Sequence, residues 1–390
     1  MSLTGRNPSA FDLIAIGICA FIIRVVVFLV ITLGLGFSFQ AYTSAADGQS
    51  YQNYARAILG DRASLTEYDT RVFPGYPALM AATSVATRLP VAVTGLCITW
   101  VSAALAAVFS AMLFHDRRIG WAMVMFIPHW PINSSLIMAE APMLALATAG
   151  LIVGLESNQK ATRSVLAGTL LGIAVLVKPA ACFALLGLMA ALWANRGRKR
   201  AILAGVAGAI VVLAGLAGVR LLTGSALNSA SVYSNSPSAY GGRIFAWPFE
   251  SLIRTPLAAH APIGRVIYVW AHVVLAVGSC VILYRQRPRR EEAGSQSHYH
   301  LLNLAALYWI VGNTLFTLCI GSGPFGWGFY HFPRFTIPAM PAMFWAIRRI
   351  WPGKTWIWVC IAVVMTSVAV AGVRDALTVH PLPRIFATVR

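Results

Sequence analysis

Apolar runs of about 15–25 residues recur along nearly the whole chain, and they constrain its fold more than any other feature. Hydrophobic residues make up 58% of the 390 residues and charged residues only 11%, which leaves too little polar sequence for a soluble domain. We therefore predict an all-α, polytopic transmembrane helical bundle. It is expected to form a single integral membrane domain over residues 1–390.

The apolar runs predict about eleven membrane spans. They cover residues 11–36, 91–114, 119–128, 136–155, 164–178, 180–194, 201–222, 264–284, 301–320, 336–347 and 355–373. The first run is longer than the core of a signal peptide and lacks a convincing cleavage site, so we expect it to remain as an anchor.

The net charge of +18 is concentrated in short segments between these spans. Sixteen of the 30 basic residues lie at Arg6 and in segments 115–118, 160–163, 195–200, 284–290 and 348–354. The intervening loops are longer and less basic, so the positive-inside rule places the N-terminus and all these segments in the cytoplasm. The charge therefore does not indicate a nucleic-acid partner.

Two large loops, 37–90 and 223–263, then face the extracytoplasmic side. Arginine outnumbers lysine 26 to 4, which is typical of a GC-rich bacterial gene. The predicted location is therefore a bacterial inner (cytoplasmic) membrane.

Lys178 and Pro179 interrupt an apolar stretch that runs from residue 164 to residue 194. As one helix this stretch would be about 46 Å long, which exceeds the hydrocarbon core of a bilayer. It would also send two arginine-rich segments to the outside. We therefore predict two short helices that meet near Lys178 on the extracytoplasmic side.

Asp47 is the first candidate for chemistry, because a carboxylate at the mouth of a membrane span is costly unless it is hydrated or paired. It can act as a general base or cap the helix that follows it, and the sequence leaves both open. Tyr51, Tyr54 and Leu59 recur at helical spacing, which predicts an amphipathic helix lying on the outer leaflet.

Four other residues before position 200 are candidates for the same site. Arg71 precedes a Phe-Pro-Gly-Tyr-Pro segment, whose two prolines predict a turned path back into the membrane. The tyrosine of this segment, Tyr76, is a candidate for substrate binding. Arg71 is expected to bind either a phosphate or lipid headgroups. Glu140 is either a functional carboxylate or a helix–helix hydrogen-bonding group. Lys178 either binds a phosphate or extends to the membrane surface.

Two later segments add cations and aromatic side chains at the predicted outer surface. Residues 240–250 contain Tyr240, Arg243 and Trp247, which form either an interfacial belt or a sugar-binding surface. Residues 327–335 contain His331 and Arg334, which either anchor to headgroups or stabilise a departing phosphate.

The spacing of cysteines and the absence of glycine-rich motifs indicate no additional metal, disulfide or nucleotide site. The six cysteines all lie in apolar spans without paired spacing, so neither a disulfide framework nor a metal site is predicted. The chain has no P-loop and no glycine-rich dinucleotide-binding motif, so nucleotide use is unsupported. We expect no cofactor, although Asp47 with Glu140 would in principle be able to hold a divalent metal.

Short motifs spread over nearly the whole chain resemble those of GT-C fold membrane glycosyltransferases, and most closely bacterial members similar to the GPI-type and protein mannosyltransferases. The motifs are Asp-Gly at 47–48, Phe-Pro-Gly-Tyr-Pro at 73–77, Ser-Ser at 134–135 with Glu-Ala-Pro at 140–142, Val-Lys-Pro at 177–179 and Arg-Phe-Thr-Ile-Pro-Ala-Met-Pro at 334–341. Two positions depart from the family pattern. Gly48 follows the acid where many relatives have a second charged residue, and Lys178 replaces an arginine.

The resemblance implies that Asp47 is the catalytic base and that a polyprenyl-phosphate sugar is the donor. The acceptor would be a lipid, a glycan or a protein, and the transfer would invert the anomeric carbon. Donor phosphate would be bound by Lys178, Arg71, Arg243, His331 and Arg334, and substrate by Tyr51, Tyr76, Tyr240 and Trp247. The alternative is a multipass transporter or lipid flippase, in which Asp47, Glu140 and Lys178 would be coupling charges.

Overall fold

The structure is a computed structural model of the chain. It describes residues 7–125, 130–155, 160–195, 197–226, 263–285, 297–319 and 334–350. These residues form helices and connecting turns without any strand, which confirms the all-α prediction.

The described helices are numbered here in chain order. They are α1 (Ala10–Leu29), α2 (Phe39–Thr43), α3 (Gly48–Ile58), α4 (Gly75–Thr87), α5 (Val91–Leu113), α6 (Arg117–Met125), α7 (Trp130–Asn133), α8 (Glu140–Leu155), α9 (Ala161–Val177), α10 (Cys182–Ala194), α11 (Arg198–Thr223), α12 (Ile263–Arg285), α13 (Ser297–Cys319) and α14 (Met340–Ile350). A π-helical turn, Val30–Gly34, extends α1.

Four helical segments in the described ranges are long and apolar enough to cross a membrane. They are Ala10–Gly34, Val91–Leu113, Arg198–Thr223 and Tyr299–Cys319, and the shorter apolar helices are Glu140–Leu155, Ala161–Val177, Pro179–Ala194 and Val269–Arg285. The surface of α1 suits a lipid environment, because Phe11 and Ile14 are exposed while Ile16 and Ala20 are fully buried. These apolar helices support membrane association.

Small residues let the central helices pack closely and show their relative directions. Gly168 and Gly172 of α9 lie against Ala204 and Gly208 of α11, so these two helices run parallel. On its other side, α11 packs against α10 in the opposite direction, with Gly205 beside Met189 and Gly208 beside Leu185. Helices α9 and α10 are therefore antiparallel.

The break between α9 and α10 lies where the sequence predicts it. Lys178 has an extended backbone, and Pro179 begins a 3-10 turn that ends at Ala181. Because Pro179 cannot donate an amide hydrogen bond, α9 cannot continue through it as a regular helix. The prediction of two short helices that meet near Lys178 is confirmed.

Ion pairs join several helices at one end of the bundle. Arg117, at the start of α6, binds Asp12 in the first turn of α1 at 3.0 Å, and Arg348 of α14 binds Asp116 at 2.8 Å. This end contains the predicted basic segment around Arg117 and Arg118. Asp47, Glu140 and Lys178 lie at the other end of the helices, where α8 begins and α9 ends.

Two predicted spans differ from the observed helices. The run 119–128 overlaps only the nine-residue α6 in the described part, and the run 136–155 becomes helical only at Glu140. Buried Arg24 of α1 donates to the Val124 carbonyl in the last turn of α6 and to Ser134 Oγ before α8. These bonds satisfy polar groups that a broken helix leaves without partners inside an apolar bundle.

The first large loop is mostly helical and packed, since it contains α2, α3 and α4. The predicted amphipathic helix is α3, and most of it packs against other parts of the chain. Tyr51, Tyr54 and Ala55 of its apolar face are buried, and so are Ser50 and Gln52 of its polar face. An amphipathic pattern shows which face is apolar, but not whether protein or lipid covers the helix. Here protein covers most of the helix, while Ile58 in its last turn is exposed.

The last described helix is α14, where the sequence predicts the span 336–347. The 3-10 turn Ile337–Ala339 precedes it, and α14 itself extends over Met340–Ile350. The predicted span 355–373 and most of the loop 223–263 lie outside the described residues.

Candidate functional site

Five charged residues from distant parts of the chain meet at one end of the bundle. Arg71 Nη2 donates to Asp47 Oδ1 at 2.8 Å, and Arg334 Nη2 donates to Asp47 Oδ2 at 2.6 Å. Arg334 Nε also donates to Glu140 Oε1, and that oxygen accepts a further bond from Lys178 Nζ at 2.5 Å. These five residues form a continuous ion-pair network, called the charged site below.

Asp47 occupies the position before α3, but its side chain makes no capping bond to that helix. Its carboxylate instead accepts from the two arginines. Burial alone would raise the pKa of Asp47, yet the nearby Arg334 and Arg71 guanidiniums outweigh it and hold the pKa well below its usual range. The capping interpretation is therefore wrong for the side chain, and Asp47 is ionised near neutral pH.

Close packing of the backbone explains why position 48 is a glycine. A Cβ atom on Gly48 would lie 2.2 Å from the Thr43 carbonyl oxygen, so the chain can fold back before α3 only if this residue has no side chain. Gly75, in the Phe-Pro-Gly-Tyr-Pro segment, is similarly close to the backbone at the end of α9, 2.5 Å from the Leu176 carbonyl carbon. Both glycines allow the elements that carry the site to approach closely.

Glu140 is the most deeply buried member of the charged site. It is the first residue of α8, and its side chain has no exposed surface. Its Oε1 atom binds both Lys178 and Arg334, while its Oε2 atom has no hydrogen-bond partner within the described ranges. A buried carboxylate with two cationic partners is stabilised in its ionised form.

Lys178 reaches Glu140 from the extended break between α9 and α10. Its ammonium also lies 5.4 Å from the centre of the Phe335 ring. The side chain is 12% exposed, so it points into the charged site rather than along a membrane surface.

Arg71 is held by several contacts in addition to its ion pair with Asp47. It donates to Ser50 Oγ at 2.6 Å and to the Tyr68 carbonyl at 3.1 Å, in addition to Asp47. Its guanidinium also stacks 3.8 Å from the centre of the Tyr68 ring. With 7% of its side chain exposed, Arg71 does not lie along headgroups, so that interpretation is wrong.

Tyr51 and Tyr76 pack against each other beside the charged site. Their rings meet edge to face with centroids 4.9 Å apart. The Tyr76 hydroxyl donates to the Gly95 carbonyl at 2.8 Å and pairs with Thr99 Oγ1 at 2.6 Å. Both side chains are buried, so in this structure they support α3 and α4 rather than forming an open surface.

The remaining sequence candidates are Tyr240, Arg243, Trp247 and His331, and they lie outside the described residues. Ser50 and Tyr68 were not predicted as site residues, although both contact Arg71. Ser50 carries a weak signal, since it lies three residues after Asp47 and so projects from the first turn of α3. Tyr68 precedes Arg71 by three residues, so a helical turn there brings the two side chains together.

The charged site does not resemble a metal site. Arg334 lies between the two carboxylates, and a guanidinium there takes the place that a bound cation would need. Across the ranges that the structure describes, no group of three or more histidine, cysteine, aspartate or glutamate side chains is placed to bind a metal ion.

A single backbone carbonyl ties the Asp47 segment to the Glu140 segment. The buried Ser135 carbonyl accepts from the Tyr42 hydroxyl at 2.9 Å and from Trp100 Nε1 at 2.8 Å. Tyr42 belongs to α2, just before Asp47, and Ser135 belongs to the non-helical segment before Glu140. Trp100 anchors both to α5.

We expect Tyr42→Phe alone to lower the free energy of unfolding by about 0.5–1.5 kcal/mol, because Trp100 still donates to the carbonyl. Trp100→Phe leaves the Tyr42 bond in the same way. The double variant should lose more than the sum of the two, since a buried carbonyl without any donor costs its full desolvation free energy. A double-mutant cycle of unfolding in detergent measures this, with the exposed Tyr308→Phe as control. Additive losses would show that the carbonyl does not couple the two segments.

Comparisons with known proteins give no relative, since no protein-family model and no curated protein matches the chain. The geometry and chemistry of the charged site are therefore the basis for assigning a function.

Proposed function

We propose that this protein is an integral membrane glycosyltransferase of the GT-C fold. It transfers a sugar from a polyprenyl-phosphate donor to a lipid, glycan or protein acceptor. The observation that carries the proposal is the contact of Arg334 with both Asp47 and Glu140, residues that are 287 and 194 positions away from it in sequence. This contact places two carboxylates and a cation together at one end of an apolar bundle, where a reaction on a lipid-linked substrate would need them.

The charge of the site suits a phosphodiester. Its three cations face two carboxylates, which leaves one positive charge over. A sugar joined to a polyprenyl chain through one phosphate carries one negative charge, so its binding would neutralise the site. Fixed cations in a dry environment also stabilise the charge that develops on a departing phosphate.

The proposed reaction is a single displacement. The acceptor hydroxyl oxygen attacks the anomeric carbon and gives its proton to the Asp47 carboxylate. The bond between the anomeric carbon and the phosphate oxygen breaks, and the phosphate leaves with the electron pair and with Lys178 and Arg334 beside it. Attack from the side opposite the phosphate inverts the anomeric configuration.

Arg334 connects donor binding to the strength of the base. While Arg334 and Arg71 both contact Asp47, its pKa is low and the carboxylate is a weak base. A donor phosphate competes with Asp47 for the Arg334 guanidinium. Loss of this contact, together with the negative charge of the phosphate, raises the pKa of Asp47 and makes it a better proton acceptor.

The transfer of Arg334 from Asp47 to the donor phosphate predicts different pH profiles for kcat and for kcat/KM. The acidic limb of kcat/KM for the donor reports Asp47 before the donor binds, and the acidic limb of kcat reports Asp47 in the donor complex. We expect the limb of kcat to lie at higher pH than the limb of kcat/KM, measured with a saturating acceptor. Limbs that coincide would show that Arg334 stays on Asp47 when the donor binds.

We further propose about eleven spans in a bacterial inner membrane, with the N-terminus in the cytoplasm and the charged site on the extracytoplasmic side. The ion pairs of Arg117 and Arg348 support this orientation, because they place predicted cytoplasmic segments together at one end of the bundle. The antiparallel α9 and α10 support it too, since they return the chain to that end before the arginine-rich segment at 195–200.

Cysteine labelling in intact cells tests the orientation. Asp61 and Lys199 are both exposed and belong to opposite ends of the bundle. We expect a membrane-impermeant maleimide to label Asp61→Cys in intact cells and Lys199→Cys only after permeabilisation, with the unsubstituted protein measuring background from native cysteines. Labelling in the reverse order would put the charged site in the cytoplasm and contradict an extracytoplasmic transferase.

The proposed function is tested by supplying purified protein with a short polyprenyl-phosphate sugar in detergent, without any ion gradient. Transfer of the sugar, or its slow release to water, is the expected result. A transporter would instead show no reaction in detergent and would move substrate across proteoliposomes, which would contradict the proposal.

A further inference from the structure

An apolar groove of about 380 Å³ lies beside the charged site, a volume within the range of ligand-binding pockets. Tyr54 and Ile58 of α3 line one wall, and Val219 and Leu222 of α11 line the other. Leu176, two residues before Lys178, forms part of its lining at the end of α9. The groove is therefore at the same end of the bundle as the charged site.

Two glycines of α11 shape this groove. Gly215 and Gly218 both line it and lie almost one helical turn apart. A Cβ atom on Gly215 would lie 2.5 Å from the Leu176 side chain, so this glycine allows close helix packing. A Cβ atom on Gly218 would meet nothing within 4 Å, so this glycine leaves open space in the groove.

The groove adjoins a helix flank that suits lipid rather than water. Three large apolar side chains of α11 are strongly exposed, with 60% of Ile210, 65% of Leu213 and 82% of Leu221 accessible. In a membrane protein such side chains contact lipid chains. An apolar groove beside them favours hydrocarbon over water, because water gains little from an apolar lining.

Arg62 gives the groove a charge preference. It is the only cationic residue that lines the groove, it is exposed, and it forms no ion pair with another residue in the described ranges. The cations of the charged site, by contrast, are all paired with carboxylates. A guanidinium in this position attracts the phosphate of an anionic headgroup.

We propose that the groove binds one acyl chain of an anionic phospholipid, with the headgroup phosphate at Arg62. This lipid would pack between α3, α4 and α11. The inference does not depend on sugar transfer, since it requires only that the bundle is embedded in a membrane.

Photo-cross-linking tests this inference with the full chain in nanodiscs. The probe is phosphatidylglycerol with a diazirine in the middle of one acyl chain, and cross-linked peptides are identified by mass spectrometry. We expect cross-links to α3 and α11 that unlabelled phosphatidylglycerol displaces better than phosphatidylcholine. Arg62→Gln should remove that headgroup preference and leave the cross-links in place.

Gly218→Leu should fill the groove and reduce these cross-links by about tenfold, the effect of excluding about two methylene groups from an apolar site. Gly278→Leu on α12 is the matched control, because a Cβ atom there also meets nothing within 4 Å and the helix gains the same propensity. We expect it to leave the cross-links unchanged.

Three results would overturn the proposal. The first is an absence of cross-links to the groove, and the second is equal cross-linking in the two glycine variants. The third is displacement of the probe by a short polyprenyl phosphate but not by phosphatidylglycerol, which would assign the groove to a carrier lipid instead. Thermal unfolding in detergent confirms that both variants fold.

Discussion

Asp47→Asn is expected to reduce sugar transfer by about 10²–10⁴, the usual loss when a positioned general base is removed. Asparagine keeps the size of the side chain and one oxygen for Arg71 or Arg334, but it cannot accept the proton of the acceptor hydroxyl. The rate should be measured per folded molecule under saturating donor and acceptor. Because the loss occurs in the chemical step, it should be seen in kcat.

The same substitution should also affect stability, since the Asp47 carboxylate binds two arginines. We expect the free energy of unfolding to fall by about 1–3 kcal/mol, the usual range for hydrogen bonds to charged groups. The loss is limited because Arg334 keeps Glu140, and Arg71 keeps Ser50 and the Tyr68 carbonyl. This loss is too small to explain a rate that falls by orders of magnitude.

Asp61→Asn is the matched control, because Asp61 is an exposed acid of the same segment that lies outside the charged site. It should transfer sugar at the native rate. Asp47→Glu should recover little activity, since the extra methylene displaces the carboxylate by about 1 Å. Near-native transfer by Asp47→Asn would reduce Asp47 to an ion-pair partner and make Glu140 the candidate base.

The sequence was enough to select the members of the charged site but not their partners. Charged side chains are costly in an apolar bundle, so Asp47, Glu140, Lys178 and Arg334 are conspicuous in the sequence. Their pairing depends on how helices far apart in sequence pack together. No local pattern indicates that Arg334 contacts Asp47, because the two residues are 287 positions apart in sequence.

Helix boundaries were predictable where a residue restricts the backbone. Pro179 ends α9 in a way that the sequence makes clear. Burial was harder to predict, since Gln52 lies on the polar face of α3 and is nevertheless enclosed, with its side-chain amide donating to the Thr43 carbonyl. The role of the Ser135 carbonyl was also hidden, because every residue has a carbonyl and only the fold determines which one joins two segments.

Glu140→Ala is expected to give the largest loss of stability of any single substitution in the charged site, about 3–5 kcal/mol. Its side chain is fully buried, and its removal leaves Lys178 and Arg334 close together without the charge between them. Arg334 would keep its contact with Asp47, so the greater cost should fall on Lys178. Denaturant unfolding in detergent measures the loss, and Glu67→Gln provides an exposed glutamate as control.

Removing the Lys178 charge, which has no anionic partner once Glu140 is replaced, should restore much of the lost stability. Glu140→Gln keeps the shape of the side chain but leaves Lys178 without its anionic partner, whereas Lys178→Met in the same chain replaces the ammonium by an apolar group of similar length. We expect the double variant to be more stable than Glu140→Gln alone, with a coupling free energy of about 1–3 kcal/mol. Additive losses would mean that the two residues do not stabilise each other. The double variant also loses a cation that is proposed to hold the donor phosphate. It should therefore fold well and still transfer sugar poorly. This result would separate the structural role of the ion pair from its role in the reaction.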